Sequence, residues 1–266
     1  MVAPGRALTR DAADRMLNLA REPAFRGLDV RRHPQCFASA GHFAGSDAER
    51  LTAFLEVAND PSVDAVWFAR GGYGSCRILD RVIAGLEAPA AEKIFLGYSD
   101  TGFLLSAFDR VGIGRPVHGP MVSDAVRPGG DAAIRRALGF FLGEHSGLEP
   151  SLGSTGRAVA LNLSILAALA AGPHLPDLDG RVLMIEDVDE HLYAIDRAFY
   201  SAMASGRMDR VAGIRLGRVG HIPPNDIPFG EGAEEIAARW AGERGITYLG
   251  RADIGHDADN RIVPFR

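Results

Sequence analysis

The chain has 266 residues, 47% of them apolar and 24% charged, enough for one large α/β domain or two smaller ones around a sizeable core. Its formal charge of −5, with no long basic run, argues against a nucleic-acid partner. No apolar stretch approaches the roughly 20 residues that cross a bilayer. The opening Met1-Val2-Ala3-Pro4-Gly5-Arg6 has no apolar leader core, and neither Cys36 nor Cys76 has metal-ligand spacing around it. The expectation is a cytoplasmic protein with reduced thiols, no metal and no membrane segment.

Residues 11–21 read as an amphipathic helix. Ser46-Asp47-Ala48-Glu49 opens a second helix with a capping-box pattern. Asp64–Ala69 and Lys93–Tyr98 are buried-strand candidates, separated by a helical segment from about Ser75. Strands alternating with helices predict a parallel sheet whose ligand crevice lies at the carboxyl ends of its strands. A helix is expected over 131–142, and the polar, turn-rich run 144–156 reads as an interdomain linker. Beyond it come a helix at 162–171, a strand at Arg181–Glu186, a helix near 191–205 and a strand near Val211–Leu216. Short strands and turns are expected to the end, with Pro223-Pro224 as a loop.

Four features carry chemistry. Ser99 sits where the strand ending Leu96-Gly97-Tyr98 meets the next helix, the setting of a nucleophile elbow, although a Ser or Asp there can equally cap the helix. Ala69-Arg70-Gly71-Gly72-Tyr73-Gly74-Ser75 also follows a strand. Its glycines allow close backbone approach, as a phosphate cradle, an oxyanion hole or a plain tight turn, and Arg70 could grip a carboxylate. A serine nucleophile needs a base, and the base an orienting partner. His256, on a polar turn, and Glu186, at the tip of an apolar strand, are candidates; a solvated surface histidine and a strand-end acid are the plain alternatives.

With these come further stretches in order: Phe43-Ala44-Gly45-Ser46-Asp47-Ala48-Glu49-Arg50, His118-Gly119-Pro120-Met121, Asn162-Leu163-Ser164-Ile165-Leu166, Ile185-Glu186-Asp187-Val188 and Tyr193-Ala194-Ile195-Asp196-Arg197. Together the chain resembles the LD-carboxypeptidase (muramoyltetrapeptide carboxypeptidase) family of serine peptidases over nearly its whole length. The resemblance implies Ser99 as nucleophile, His256 as base and later acid, and Glu186 orienting the imidazole. Backbone N–H groups of Asp100, Gly71 and Gly72 would form the oxyanion hole, with Arg70, Tyr73 and Asn162 contacting substrate. It implies an α/β chain of two domains: a flavodoxin-like parallel-sheet N-terminal domain over 1–145, a linker over 146–157, and a smaller β-rich, barrel-like C-terminal domain over 158–266 carrying the Glu and His. A homodimer acting on murein peptides, releasing terminal D-alanine without metal or cofactor, is the implied activity.

Three departures stand out. Ala160-Leu161 occupy the place of a Gly-Gly pair usual before the Asn162 stretch, which would reshape the pocket if those glycines admit substrate. The first strand looks clipped, and the chain stops at Phe265-Arg266 where relatives commonly continue. Two other readings stand beside the murein peptidase: a same-fold peptidase cutting a microcin C-like peptidyl-nucleotide, and a non-catalytic binder of phosphate or carboxylate at Gly71–Gly74.

Overall fold

The computed structural model describes residues 1–152 and 156–265, so three positions of the expected 146–157 linker and the terminal Arg266 lie outside the described residues. Two four-stranded sheets organise the chain. In the first, β1 (Ala65–Trp67), β2 (Ile94–Gly97) and β3 (Arg115–His118) run parallel. Successive side chains leave a strand on opposite faces, and here both faces are apolar. Val66, Phe68 and Phe95 join one core cluster, while Trp67, Leu96 and Val117 join another. Helices therefore cover both sides. α1 (Arg10–Ala20) and α5 (Gly130–Phe141) bring Met16 and Ile134 to the Trp67 side. α2 (Asp47–Asn59), α3 (Leu79–Gly85) and α4 (Gly102–Val111) bring Phe54, Val82 and Phe108 to the other. The expected capping box is present: Ser46 Oγ accepts from Glu49 N at 3.2 Å and Glu49 Oε2 from Ser46 N at 2.7 Å. The N-terminal segment adds only a one-residue parallel bridge, Val2 to Phe68.

The second sheet is parallel throughout, in the order β4 (Ala158–Asn162), β5 (Val182–Val188), β6 (Gly213–Gly220) and β7 (Tyr248–Arg251). α6 (Leu163–Ala170), α7 (Leu192–Ala204) and α8 (Ala233–Glu243) complete it. The mixed α/β class with parallel sheets thus holds for both halves, and the second half packs its four-stranded sheet with three helices. Parallel neighbours need long crossovers, which helices supply. The turn-and-strand reading of the final stretch misses α8. Its signal was there: acids Glu234 and Glu235 in the first turn, and Ile236, Ala237 and Ala241 buried at helical spacing.

The two halves share one continuous apolar cluster that includes Phe108 and Leu105 from the first sheet's helices and Val159, Leu161, Ile185 and Phe199 from the second. β8 (Val263–Pro264) then returns to the first sheet, pairing antiparallel with β3. The residues preceding β8 are consequently pinned between the sheets. That segment carries His256.

Candidate active site

β2 ends at Gly97, Tyr98 is fully extended, and Ser99 turns into the left-handed region at φ +59° before a 3-10 turn (Ser99–Thr101) enters α4. A β-carbon at Gly97 would stand 2.4 Å from Phe68 Cδ2 and 2.7 Å from Thr101 Oγ1, so the tight exit requires glycine. The Ser99 hydroxyl makes no hydrogen bond among the described residues, and it does not cap α4. A non-glycine residue held at positive φ with a free hydroxyl at a strand's carboxyl end is the geometry of a nucleophile elbow.

The glycine loop faces this turn. A β-carbon at Gly71 would sit 3.1 Å from Ser99 Cβ and 3.3 Å from its Oγ. Asp100 ties the two together: its carboxylate accepts from Gly74 N at 3.2 Å and Ser75 N at 2.9 Å, and its carbonyl accepts from Ser75 Oγ at 2.6 Å. Burial raises the Asp100 pKa against these donors. Arg50, wholly buried, closes the loop's far side by donating to Gly74 O at 2.8 Å and to Pro4 O, while pairing with Asp47 at 2.5 Å. Gly72 and Gly74 take φ of +86° and +144°, values that exclude ordinary side chains there.

Glu186 arrives from the second sheet. It pairs in register with Asn162, and β6 carries one extra residue opposite it, between the pairs Ile185–Leu216 and Asp187–Val219. Such bulges re-aim side chains. Gly217, within this bulge, lets the Ile254 segment approach: a β-carbon would stand 2.6 Å from Ile254 O and 2.9 Å from Glu186 Cβ. His256 follows two residues later, its Nδ1 hydrogen-bonded to Glu186 Oε2 at 2.5 Å. Both side chains are buried, Glu186 fully and His256 with 8% exposed. Burial pulls the imidazole pKa down, yet the Glu186 charge and hydrogen bond outweigh it, so the net displacement is upward from 6.5. A carboxylate acceptor puts the proton on Nδ1 and leaves the Nε2 lone pair available. The imidazole packs against Tyr98, the residue preceding Ser99, with ring centroids 4.8 Å apart.

Of the substrate contacts expected, Tyr73 projects from the glycine loop with 55% of its surface exposed, clustered with His42 and Phe43. Arg70 is partly buried and donates to Ala7 O at 3.3 Å. Asn162 stands at the start of α6. Its amide donates to Asp187 Oδ1 at 2.9 Å and accepts from Ile165 N at 3.3 Å, capping the helix. Ala160 and Leu161 point into core, each 1% exposed, rather than into the crevice. The sequence reading also missed Asp187, which accepts from Asn162, Ser164 and Val188 beside Glu186. Burial foremost, with the Glu186 charge adding to it, pushes Asp187 up to about 6 against these donors. Among the described residues no three His, Cys, Asp or Glu side chains are grouped to hold a metal ion, and no helix is long and apolar enough to cross a membrane. A groove of about 1040 Å³ opens elsewhere, at the amino ends of the first sheet's strands, beside Leu28, Val30, Trp67 and Phe141.

Comparison with known proteins agrees in both halves. The family description "LD-carboxypeptidase N-terminal domain" matches residues 1–119, and "LD-carboxypeptidase C-terminal domain" matches residues 155–266. A Synechocystis sp. chain named as a candidate carboxypeptidase is 33% identical over 234 residues, 84% of this chain and 75% of its own. The murein tetrapeptide carboxypeptidase of Pseudomonas aeruginosa is 27% identical over 285 residues, 100% of this chain and 90% of its own. The crystal structure of muramoyltetrapeptide carboxypeptidase from Oxalobacter formigenes superposes with a TM-score of 0.80 at 25% identity, covering 99% of this chain and 92% of that one. The microcin C7 self immunity protein MccF, at 17% identity and a TM-score of 0.78 over 99% of this chain and 89% of its own, shares the fold. With both halves matched in order and a relative this similar over most of its length, the chain belongs to the LD-carboxypeptidase family of peptidases.

Proposed function

We propose that the protein is a cytoplasmic serine carboxypeptidase that releases the terminal D-alanine from murein tetrapeptides by cutting the L-to-D peptide bond. The observation that carries the mechanism is the buried His256–Glu186 hydrogen bond at 2.5 Å, set beside the residue that precedes Ser99. In this reading His256 Nε2 takes the Ser99 proton as Oγ attacks the scissile carbonyl. The oxyanion is met by the Asp100 N–H and an N–H of Gly71 or Gly72. The tetrahedral intermediate collapses, the C–N bond breaks, and His256 returns its proton to the departing amine of D-alanine. Water, deprotonated by His256, then hydrolyses the acyl-enzyme and regenerates Ser99. Glu186 holds the Nδ1 proton and offsets the imidazolium charge. Arg70 and Tyr73 contact the substrate, Arg70 through its terminal carboxylate. The division into a nucleophile domain over 1–145 and a Glu- and His-bearing domain over 158–266 is part of the same reading, as is assembly into a homodimer.

The test is D-alanine release from a murein tetrapeptide by the purified protein, with Ser99→Ala and His256→Ala alongside. Each variant is expected to lose several orders of magnitude in kcat. Substantial release by Ser99→Ala would remove Ser99 from the nucleophile's role. An aminoacyl-nucleotide analogue assayed in parallel, cut faster than the tetrapeptide, would move the substrate class.

A further inference from the structure

The base, its orienting acid and the nucleophile come from different parts of the chain, so something must hold the His256 segment in register with the Ser99 turn. Asp124 and Arg127, on the 3-10 turn Val122–Val126 and just beyond it, meet both. Asp124, 1% exposed, accepts from Tyr98 Oη at 3.0 Å and from Met121 N at 2.8 Å. Its Oδ1 also pairs with Arg127 Nε at 3.0 Å, and Arg127 Nη1 donates to the carbonyl oxygen of His256 itself. Tyr98 is covalently joined to Ser99, and its ring lies on the His256 imidazole.

Other contacts hold the loop as a whole. Asn260 Oδ1 accepts from Gly255 N at 3.1 Å and is joined to His118 Nε2 at 2.9 Å. Arg136 donates to Ala258 O and Asn260 O, each at 2.9 Å. Arg218 pairs with Asp257. Of these arginines, Arg127 is the one bonded to the main chain of the base.

We propose that Asp124 and Arg127 are a positioning pair that sets His256 in register with the Ser99 turn, one carboxylate serving Tyr98 on the nucleophile's side and the guanidinium on the base's side. The proposal rests on the reading of His256 as the base. It predicts that displacing the His256 main chain swings Nε2 away from the reacting hydroxyl while Glu186 and the substrate contacts persist. Misplacements near 1 Å cost about 100-fold in rate.

Arg127 is 38% exposed on its side chain, so replacing it opens no buried cavity. The experiment compares the parent with Arg127→Met, Arg127→Lys and Tyr98→Phe, in tetrapeptide kinetics and in the low-field proton resonance of the His256–Glu186 hydrogen bond. That resonance is assigned by its loss in His256→Gln. Arg127→Met is expected to lower kcat about 10- to 100-fold with KM within about twofold of the parent, and to broaden or abolish the resonance. Arg127→Lys, able to reach one partner, is expected to restore part of both, and Tyr98→Phe to show a smaller loss of kcat. An Arg127→Met variant with parental kcat and an unchanged resonance would overturn the proposal, as would a loss that Arg127→Lys leaves wholly unrestored. A failure of the underlying reading looks different: His256→Ala would stay active while the resonance still responded to Arg127.

Discussion

Glu186 Oε2 and His256 Nδ1 stand 2.5 Å apart with both side chains withdrawn from water, although seventy positions separate them in sequence. The upward displacement of the His256 pKa reflects chiefly burial, which lowers it, and Glu186, which raises it, and one substitution separates them. Glu186→Gln removes the charge and leaves burial dominant, with the Arg127 and Asp124 charges opposing each other behind it, so the imidazole pKa falls. With neutral His256 as the proposed base, kcat/KM of the parent should decline as pH drops through a value above the ordinary 6.5. In Glu186→Gln that acid limb should move to lower pH while the maximal rate falls roughly 10³- to 10⁴-fold. A pH–rate profile of both proteins checks this, and an acid limb left in place would break the assignment.

Gly71 offers a way to disturb the site while sparing the fold. Its φ lies outside the left-handed region, so alanine fits the backbone, but the new methyl would meet Ser99 Cβ and Met121 Cε, each at 3.1 Å. Met121 is flexible and can yield. Ser99, held in its turn, must shift or block the approach of substrate. Gly71→Ala should therefore lose about 10- to 100-fold in kcat with little change in Tm. Equal activity in the variant would separate the glycine loop from the reaction centre.

The Asp100 brace predicts the opposite balance, with stability and activity falling together. Asp100→Ala leaves the Gly74 and Ser75 N–H groups buried without acceptors, each at a cost of about 1–3 kcal/mol. The loop that lines the Ser99 crevice is released at the same time. Denaturant unfolding and tetrapeptide kinetics on one preparation measure both losses. A variant as stable as the parent would show that the brace is dispensable.

How far the sequence could be read depends on the range of the interactions. The turn at Ser99 was legible because its ingredients are local: a strand, a small residue at Gly97 and a helix start lie within a few positions, although the same stretch could equally be read as a helix cap. The capping box at Ser46 and Glu49 was legible for the same reason. Asp124 and Arg127 carried no such signal, since their partners Tyr98 and His256 lie 26 and 129 positions away. Gly217 looks like any strand glycine until the Ile254 segment is packed over it. Asn162 was placed correctly at the start of a helix, but its bond to the Asp187 carboxylate, a tertiary neighbour, carried no local signal. The helical character of the second half was underread because Pro223-Pro224 and the glycines before α8 suggested turns to the end.

Arg70 supplies a prediction about which end of a peptide is recognised. Burial, then the charges of Arg6 and Arg127, pull its guanidinium pKa down, and no carboxylate pairs with it among the described residues. An incoming carboxylate would relieve that repulsion. Arg70→Gln should raise KM about 10-fold or more for a tetrapeptide with a free terminus. It should leave the corresponding terminal amide, already a poor substrate, nearly unaffected. If the parent cuts amide and acid equally well, Arg70 does not read the terminus.

The φ of +59° at Ser99 yields a last prediction, in which stability opposes function. A β-carbon in the left-handed region costs about 1–2 kcal/mol, a penalty that glycine avoids and alanine retains. Ser99→Gly and Ser99→Ala both delete the hydroxyl and should both be inactive. If the turn stores strain to present the nucleophile, Ser99→Gly should be the more stable of the two by about 1 kcal/mol, which for a chain of this length corresponds to roughly 2–4 °C in Tm. Calorimetry of the two variants under one buffer makes the comparison independent of catalysis. An alanine variant as stable as the glycine one would mean that the turn accepts a side chain without strain, and that the hydroxyl owes its position to Gly97 and Thr101 alone.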